Sequence, residues 1–407
     1  MSAIQLKLAA RNLSRHRTRT LISLSAIAFG VSSLLLAGGF IEWIFWAMRD
    51  QAIYSGLGHI QITRPGFRGG GLANPGAFLL PGEGVELSLV RGAPGVEVVG
   101  ERLQLSGLAS NGETTVAFTG EAVDPDADKL LSSEMKVEGG NVTAKDGSGV
   151  MLGRGLAHVL DVKLGDRVTL LVSLPGGGIN AAEGRVLGLF TTGVKAYDDR
   201  AVRMPIVLGR KLLRIRGAHV WVVALASIDY DPADTMSYLK ARLPANRFEL
   251  ATWLELADFY RKAVVLLSRQ IDVVGLLIGL IIVLGISNTL AMNVLERTGE
   301  IGTLMAMGTP RGSILRLFLL EGVLLGVFGG LAGLAFGFLL AEALSYVGIP
   351  MPPPPGRDVG FDAQIMLTIP LALSGFAMAV VSATLASLYP AWKAARLPIV
   401  DALRQNR

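Results

Sequence analysis

The chain has 407 residues, of which 51% are hydrophobic and only 17% charged, and its mean hydropathy is +0.49. This balance excludes intrinsic disorder and an entirely soluble enzyme, and it favours a membrane protein. The net charge of +5 follows the pattern of the membrane segments described below, so it indicates topology and not nucleic-acid binding.

The chain opens with a basic segment, residues 1–19, followed by an uncharged run from Thr20 to Ile41. The basic segment predicts a short amphipathic helix on the cytoplasmic membrane surface, with a disordered basic arm as the alternative. The uncharged run is long enough to cross a bilayer as a helix and too long for a cleaved signal peptide. We therefore predict a first transmembrane helix and its stalk over residues 20–55.

Residues 56–252 have ordinary charge density and many turn residues, which is typical of a folded domain outside the membrane. Alternating apolar and polar residues predict strands, and apolar residues at helical spacing predict helices. The predicted strands are His59–Thr63, Val96–Leu105, Thr114–Phe118, Arg167–Ser173 and Glu183–Phe190, and the predicted helices are Arg154–Val162 and Pro232–Leu243. The domain is therefore expected to be mixed α/β.

One loop of this domain interrupts two predicted strands with a proline and three consecutive glycines, a composition that predicts a protruding hairpin tip. The candidate docking residues of this tip are Leu174, Pro175, Gly176, Gly177, Gly178 and Ile179. Two apolar side chains on an exposed tip suit contact with a soluble protein. An idle surface loop is the alternative.

Three further uncharged runs predict three more membrane helices in the last third of the chain. The expected segments are a stalk and second helix at 253–295, a loop at 296–316, a third helix at 317–345, a short loop at 346–362, a fourth helix at 363–392 and a tail at 393–407. Basic residues outnumber acidic ones by 12 to 3 across the N-terminal segment, the 296–316 loop and the tail. Because basic flanks stay in the cytoplasm, both termini and this loop are predicted to be cytoplasmic.

The 296–316 loop contains an apolar cluster that predicts a small helix lying across the membrane. Its expected apolar face consists of Ile301, Leu304, Met305 and Met307. Gly308 is expected to end this helix, and Thr309 and Pro310 predict the N-cap and first helical position of the next one. Two uses of the apolar face stay open at this point, namely docking in a partner's groove and floating at the lipid headgroups.

The third predicted membrane helix carries two rows of glycines at i, i+4 spacing. The first row is Gly322, Gly326 and Gly330, and the second row is Gly329, Gly333 and Gly337. Small residues allow close helix contact, either within the bundle or at a seam between two copies of the chain. Glu321 and Glu342 flank this helix and are expected at the two membrane interfaces, so no proton relay is inferred from them.

The stretch NTLAMNVLERTGEIGTLMAMGTPRGSILRLFLLEGVLLGVFGGLAGLAFG resembles the signature of ABC transporter permeases of the FtsX/MacB superfamily. The segments LAARNLSRHRTRTLIS, GHIQITRPG, LGRGLAHVLDVKLGDRVTL and YPAWKAARLPIVDALR agree with it, so the resemblance covers nearly the whole chain. GHIQITRPG is most similar to the lipoprotein-releasing (LolC/LolE) branch. The resemblance implies four transmembrane helices, with a mixed α/β MacB-like extracytoplasmic domain inserted between helices 1 and 2.

In that superfamily, the loop between the second and third helices is a coupling helix that contacts a separate ATPase. The residues here that match the coupling pattern are Glu296, Arg297, Glu300, Ile301, Gly302, Leu304, Ala306 and Gly308, and Met305 is added from the apolar face. Gly299 departs from the pattern, because relatives often have a basic residue there. No ion pair with the ATPase is therefore assigned at position 299.

The resemblance implies a non-catalytic permease subunit in the bacterial inner membrane. The chain has no Gly-Lys dipeptide and therefore no P-loop, so ATP and Mg²⁺ are expected on a dimeric partner ATPase and no cofactor or metal on this chain. A second permease copy, identical or different, and membrane lipid are further expected partners. A periplasmic carrier or adaptor protein is another candidate, and nucleic acid is not.

The expected function is transmission of ATPase motion to the extracytoplasmic domain, which extracts or exports a lipoprotein, a lipid or another hydrophobic substrate. One alternative is an FtsX-like regulator of a cell-wall hydrolase that transports nothing, and another is a MacB-like drug or peptide efflux permease. The size of the domain favours transport, because FtsX proper has a small one. In lipoprotein-releasing relatives a hairpin in roughly the 174–179 region catches a soluble carrier, which implies the same role for the tip.

Overall fold

The computed structural model describes residues 8–9, 11–13, 15, 17–70, 75–142, 147–174, 176–192, 194–352 and 360–398. The chain divides into two compact units. The membrane unit comprises Met1–Phe45, Ala263–Met351 and Asp362–Arg407, and the domain unit comprises Trp46–Lys262 and Pro352–Phe361. Within the predicted surface helix over residues 1–19, the described residues are helical.

The helices are α1 (Arg17–Ala52), α2 (Phe67–Gly70), α3 (Val85–Arg91), α4 (Pro125–Leu131), α5 (Arg154–Val159), α6 (Lys195–Asp198), α7 (Ile206–Leu213), α8 (Ala233–Arg242), α9 (Trp253–Leu256), α10 (Asp258–Glu296), α11 (Thr298–Ala306), α12 (Arg311–Val347) and α13 (Ile369–Ala395). The strands are β1 (Ile60–Thr63), β2 (Val96–Ser110), β3 (Thr115–Val123), β4 (Lys136–Gly139), β5 (Gly149–Gly153), β6 (Arg167–Ser173), β7 (Ile179–Thr191), β8 (Ala201–Pro205), β9 (Val220–Leu225), β10 (Glu249–Thr252), β11 (Ile349–Met351) and β12 (Phe361–Ala363). A π-helical segment at Ile53–Leu57 follows α1, and a 3-10 turn lies at Pro75–Phe78.

Four helices are long and apolar enough to cross a membrane, namely α1, α10, α12 and α13. The predicted number of membrane helices is therefore confirmed, as is the insertion of an α/β domain between the first and the second. A helix needs roughly 20 residues to cross the hydrocarbon core. Because α1, α10 and α12 are all much longer than that, each extends beyond the apolar layer.

The fourth membrane helix begins six residues later than predicted, at Ile369 instead of residue 363. The side chain of Thr368 accepts a hydrogen bond from the backbone N–H of Leu371 and caps the helix, and Pro370 occupies the first turn. Both residues are typical of a helix N-terminus. The absence of charge from residue 363 onward identifies an apolar segment, but the cap residues determine where the helix begins.

The core of the membrane unit lies where α1, α10, α12 and α13 bring their small or branched residues together. Ile282, Ile286 and Leu290 form an i, i+4 stripe on α10 that is almost fully buried, while most other side chains of this helix are exposed. Ile27 and Ala383 belong to the same core. A single buried stripe on α10 is expected for a helix whose remaining faces are in contact with lipid.

In the domain unit, strands β1 to β10 form one ten-stranded sheet, and six of these strands close into a ring. The fifteen-residue strand β2 pairs with β9 through its first half and with β3 through its second half, and residues 107–110 also pair with β6. The pairings β2–β3, β3–β8, β8–β5, β5–β7, β7–β6 and β6–β2 complete a ring of six strands. Closure removes the exposed edges that an open sheet of these six strands would present, whereas β10 and β4 each pair on one side only.

The two largest hydrophobic cores among the described residues of the domain unit pack against this sheet. The first fills the ring and includes Phe118, Leu152 and Leu170. The second includes Trp221 and Phe248 and lies between α3 and α8 and the part of the sheet formed by β9, β1 and β10. The prediction of a mixed α/β domain is therefore confirmed.

The strand predictions differ in accuracy for a physical reason. Arg167–Ser173 is right at both ends because its residues alternate between buried and exposed positions. Strand β9 was missed, because all six of its residues are buried and no alternation exists to detect. The helix predicted at Arg154–Val162 ends at Val159, and Asp161 adopts a left-handed conformation with φ of 48°.

Candidate functional sites

The loop between the second and third membrane helices contains the predicted small helix, α11. Ile301 and Met305 are 2% and 7% exposed and pack within the membrane unit against Val294, Ile314 and Phe318. Gly302 is also buried, and Leu304 is half-buried at the margin of this cluster. The apolar face of α11 is therefore largely covered by the helices of its own chain.

Met307 does not share this face, which corrects the sequence analysis. Its side chain is 72% exposed, because α11 ends at Ala306 and Met307 is the C-cap residue. Thr303, Ala306 and Gly308 are exposed as well. These outward residues, together with half-buried Leu304, form what we call the outer face of α11.

Gly308 ends the small helix as predicted, since its φ of 91° is unfavourable for any side chain with a Cβ. Its N–H donates to the carbonyl of Met305, and the N–H of Thr309 donates to that of Leu304. The next helix begins one residue later than predicted. Pro310 is extended and occupies the N-cap position, so that Arg311 is the first helical residue.

The charged residues of the coupling pattern are paired within this chain. Arg297 contacts Glu300 at 3.2 Å and Glu321 at 3.1 Å, and the amide of Asn12 donates to Glu321 at 2.7 Å. Arg15 contacts Glu300 at 2.9 Å. These contacts form a network that joins the N-terminal segment, α11 and α12.

A second connection lies beside it, where Arg19 forms an ion pair with Glu296 and donates to the side chain of Asn293. Arg15 and Arg19 are four residues apart, as are Glu296 and Glu300. Glu296 is the last residue of α10 and Glu300 lies in α11, so the acidic pair spans the junction of these two helices. This spacing was the signal available in the sequence, and it was not used there.

Glu321 is buried by residues of its own chain, which the sequence did not predict. Glu321 is only 2% exposed. Its partner Arg297 also lies over the ring of Phe318, with 5.5 Å between the guanidinium carbon and the ring centre. Removal of a carboxylate from water is costly unless a cation and hydrogen-bond donors compensate for it. Arg297 and Asn12 supply that compensation, so Glu321 is a buried structural acid.

Glu300 lies at the exposed end of the network, outside the membrane-spanning helices. Burial alone would raise the pKa of its carboxyl group, but hydrogen bonds and positive charge from Arg297 and Arg15 outweigh burial. The pKa of Glu300 is therefore lower than usual, and the side chain is ionised at neutral pH.

The two glycine rows of α12 face two different helices of the same chain. A methyl group at Gly322 or Gly326 would collide with α13, where Ser387 and Val380 lie 2.5 and 2.8 Å away, and Gly330 faces Phe376 of that helix. Gly329, Gly333 and Gly337 instead face Ile27, Val31 and Leu35 of α1. Both rows therefore serve close packing inside the bundle.

A hydrogen bond strengthens the contact between α1 and α12. The hydroxyl of Ser32 donates to the carbonyl of Gly333 at 2.9 Å, in addition to the carbonyl of Ala28 at 2.8 Å. The missing side chain at Gly333 gives Ser32 access to the α12 backbone. Polar contacts of this kind supplement van der Waals packing between membrane helices.

The hairpin tip connects β6 and β7, whose pairing runs from Arg167–Arg185 to Ser173–Ile179. The N–H of Leu174 donates to the carbonyl of Gly178, and Gly177 and Gly178 have φ values of 88° and 90°. Ile179 is 73% exposed and Leu174 is half-buried, while Pro175 lies outside the described residues. No atom lies within 4 Å of where a side chain on Gly176 would begin. The described part of the tip thus faces open space.

The ends of the two stalks contact each other within the domain unit, and we call this contact the joint. It was not predicted from the sequence. Ile53 at the end of the first stalk packs against Trp253 and Ala257 at the start of the second. The ring of buried His59 accepts the N–H of Leu225 at Nδ1, and its backbone carbonyl accepts the N–H of Trp253. Burial lowers the pKa of His59 to about 4, so the imidazole is neutral near pH 7.

A group of two buried arginines, one buried acid and one half-buried acid lies next to this joint. Arg203 contacts Asp128 at 2.8 Å, and Arg102 lies 3.6 Å from the same carboxylate. Glu121 lies within 3.8 Å of both arginines. Arg102 also donates to the carbonyl of Gly56 in the π-helical segment, so the group fixes the stalk end to the strands and α4.

Four apolar helices with an α/β domain between the first two, and a small helix between the second and third, are the architecture of a multi-pass membrane protein with an inserted domain. The family model of the MacB-like periplasmic core domain matches residues 20–243, and that of the FtsX-like permease C-terminal region matches residues 273–399. The chain belongs to the FtsX/MacB family of ABC transporter permeases. It is a multi-pass membrane protein with a periplasmic-type domain, and it is a non-catalytic subunit.

Curated relatives cover most of the chain. The lipoprotein-releasing system transmembrane protein LolC of Xylella fastidiosa is 28% identical over 75% of this chain and 74% of its own length. LolE of Haemophilus influenzae is 24% identical over 77% of this chain and 78% of its own length. The pyoverdine export ATP-binding/permease protein PvdT of Pseudomonas entomophila is 30% identical, but over 56% of this chain and 32% of its own length.

Among solved structures, the periplasmic region of MacB from Actinobacillus actinomycetemcomitans is 12% identical with a TM-score of 0.38, covering 52% of this chain and 94% of that one. The extracellular domain of the YknZ transporter from Gram-positive bacteria is 15% identical with a TM-score of 0.32. The match covers 41% of this chain and 87% of that one. Within the described residues, no group of three or more His, Asp or Glu side chains could hold a metal ion.

Proposed function

We propose that this permease converts motion of a partner ATPase into work by its domain unit, and that the work is extraction or export of a lipoprotein, lipid or other hydrophobic substrate. The observation that carries this proposal is the similarity to LolC over three quarters of both chains. The ATPase is a separate dimer that binds ATP and Mg²⁺, and a second permease copy completes the membrane part.

The outer face of α11 is the proposed ATPase contact. Met307 supplies an exposed apolar anchor, and Leu304 lies beside it at the margin of the internal cluster. Ile301 and Met305 cannot serve as anchors while they are buried, so their role is to hold α11 against α10 and α12. An apolar side chain that projects from a short helix suits a groove in a soluble partner.

The ion pairs behind α11 support this mechanical role. Arg297 joins Glu300 of α11 to Glu321 of α12, and Arg19 joins α1 to the last residue of α10. A helix held by buried packing and paired charges moves together with its neighbours. Because α10 continues without a break from Asp258 to Glu296, a push on α11 reaches the second stalk directly.

The proposed orientation has both termini and α11 in the cytoplasm and the domain unit in the periplasm. The excess of basic residues at the termini and in the 296–316 loop supports this orientation. The hairpin tip is then a proposed docking site for a soluble periplasmic carrier or adaptor. Exposed Ile179 and half-buried Leu174 are its apolar contacts.

A second candidate function is export of a drug, a peptide or another small molecule. Similarity to PvdT favours it, since a Pseudomonas savastanoi member is 40% identical over 140 residues. That similarity covers 34% of this chain and 18% of the relative, compared with about three quarters of both chains for LolC. Lipoprotein release is therefore our first proposal and small-molecule export our second.

The test begins with copurification of the permease and its ATPase in mild detergent, followed by reconstitution into liposomes. The permease alone is expected to show no ATP hydrolysis, and the complex is expected to release an acylated lipoprotein to the soluble fraction only with ATP. Release of a small amphiphile but no lipoprotein would support the second candidate. Failure to copurify an ATPase would contradict both.

Two methionine variants separate docking from folding. Met307→Asp places a carboxylate in the proposed groove and is expected to abolish ATP-driven release while the permease stays folded. Met305→Asp forces the same charge into the internal cluster and is expected to lower the yield of folded protein. Met307→Leu is the matched control and is expected to retain release. Normal release by Met307→Asp would remove the outer face from the ATPase contact.

A further inference from the structure

A cavity of about 460 Å³ lies beside the N-terminal end of α1, in the membrane unit. Its walls come from Leu13 of the N-terminal segment, Leu21 and Leu24 of α1, and Leu324 and Phe328 of α12. The volume falls within the roughly 300–1,000 Å³ typical of ligand pockets. Leu21 and Phe328 are 60% and 54% exposed, so the cavity opens towards the surroundings of the bundle.

A local hydrogen bond shapes the wall formed by the N-terminal segment. The hydroxyl of Thr20 donates to the carbonyl of Leu13 at 2.8 Å, and both residues line the cavity. The ion pairs Arg15–Glu300 and Arg19–Glu296 hold the same segment against α10 and α11. The cavity is therefore bounded by anchored elements.

Arg17 is the charged residue that lines this cavity. Arg15 and Arg19 have carboxylate partners, whereas Arg17 forms no ion pair with any residue in the described ranges. Two positions along a helix rotate a side chain by about 200°, so Arg17 faces away from the acidic pair. An exposed guanidinium thus stands at the rim of an almost wholly apolar cavity.

We propose that this cavity binds one acyl chain of an anionic phospholipid, whose phosphate pairs with Arg17. The apolar walls match a hydrocarbon chain, and the single cation matches a negative headgroup near the end of a membrane helix. A free phosphate would leave the apolar walls unused. The proposal depends on the membrane location of the bundle and not on the cargo of the transporter.

The test is native mass spectrometry of the detergent-purified permease titrated with phosphatidylglycerol, and with phosphatidylcholine in a parallel series. The unmodified protein is expected to retain phosphatidylglycerol in preference to phosphatidylcholine. Arg17→Gln is expected to weaken that retention by roughly fivefold, because one basic residue at an anionic surface contributes about that factor. Leu21→Trp fills the cavity and is expected to weaken retention of both lipids.

Arg311→Gln is the matched control, because Arg311 is exposed at the first turn of α12, does not line the cavity and forms no ion pair with a described residue. It is expected to leave retention within about twofold of normal. An equal loss with Arg17→Gln and Arg311→Gln, or no loss with Arg17→Gln, would overturn the proposal. Competition by glycerol 3-phosphate would do the same, because it would assign the site to a soluble anion.

The remaining alternative is that a second permease copy covers the cavity. The chain has no cysteine, so Leu21→Cys creates a single thiol beside the cavity. Oxidation of this variant in liposomes is expected to yield monomers when phosphatidylglycerol is bound. Efficient disulfide-linked dimers irrespective of lipid would assign the surface to the second copy and overturn lipid binding.

Discussion

The coupling loop and the hairpin tip were predicted on the same grounds, as exposed segments with apolar residues, yet the structure treats them in opposite ways. The loop is anchored: Ile301 and Met305 are buried, and Arg297 and Glu300 are paired within the chain. The described part of the tip has open space around Gly176 and a 73% exposed Ile179. A segment that must transmit force needs internal contacts, whereas one that only captures a partner does not.

The ion pairs of Arg297 and Glu300 anchor the coupling loop, and we call this network the anchor. Its buried end, at Glu321, gives the largest expected effect on stability. Arg297→Met would remove the guanidinium that contacts the carboxylate of Glu321, whose side chain is 3% exposed. Breaking a buried ion pair from one side costs about 3–5 kcal/mol, so we expect a markedly lower Tm in detergent. Glu300→Gln weakens the contacts of an exposed carboxylate with Arg15 and Arg297 and should cost at most about 1 kcal/mol. Equal Tm losses in the two variants would contradict the division into buried and exposed ends.

Substitutions of Gly by Ala compare a glycine enclosed by helix packing, Gly333, with a glycine in the open tip, Gly176. At Gly333 the new methyl group would lie 2.7 Å from the Cβ of Val31 and 2.9 Å from the carbonyl oxygen of Ala28. Overpacking of this kind costs roughly 1–3 kcal/mol. Gly176→Ala meets no atom within 4 Å and should leave stability nearly unchanged. The unfolding midpoint of both variants in denaturant is the measurement, and a neutral Gly333→Ala would show that α1 and α12 move apart easily.

The anchor should also respond to pH, which the tip cannot do because residues 174–179 have no titratable side chain. The pKa of Glu300 is lower in the folded state than its ordinary value of 4.5. Its contribution to the unfolding free energy is therefore present above about pH 4.5 and is lost as the pH falls through the folded pKa. Since the side chain is 45% exposed, the loss should be at most about 1 kcal/mol. A comparison of unfolding curves for the unmodified protein and Glu300→Gln at neutral and acidic pH measures it, and identical pH slopes would refute it.

The tip should give the smallest effect on stability and a selective effect on function. Because Ile179 pairs with Ser173, removal of the whole loop would disturb the β6–β7 register, so point variants are preferable. Leu174→Ser combined with Ile179→Ser should change stability by about 0.5 kcal/mol or less. ATP hydrolysis by the complex should continue, while delivery of cargo to a soluble carrier is lost. Ile179→Val is the control, and undiminished delivery by the double variant would leave the tip without a docking role.

Local composition was enough to predict much of the architecture. The number of membrane helices follows from uncharged runs, because the cost of a charge in hydrocarbon acts on each segment separately. The strand Arg167–Ser173 and the glycine-rich turn after it follow from alternation and from the backbone freedom of glycine. These signals depend on neighbouring residues in the chain, so no tertiary contact is needed to detect them.

Contacts between distant segments decided the rest. Only the packing of α11 on α10 and α12 determines that Met305 is buried while Met307 is exposed, since both residues are equally apolar. Likewise, Glu321 is buried because Asn12, more than 300 positions earlier in the chain, supplies a donor alongside Arg297. Closure of the strand ring through β2 and β6 is a pairing of this kind as well. Sequence periodicity identifies the faces of a helix or strand, but the partner that covers each face is determined by the fold.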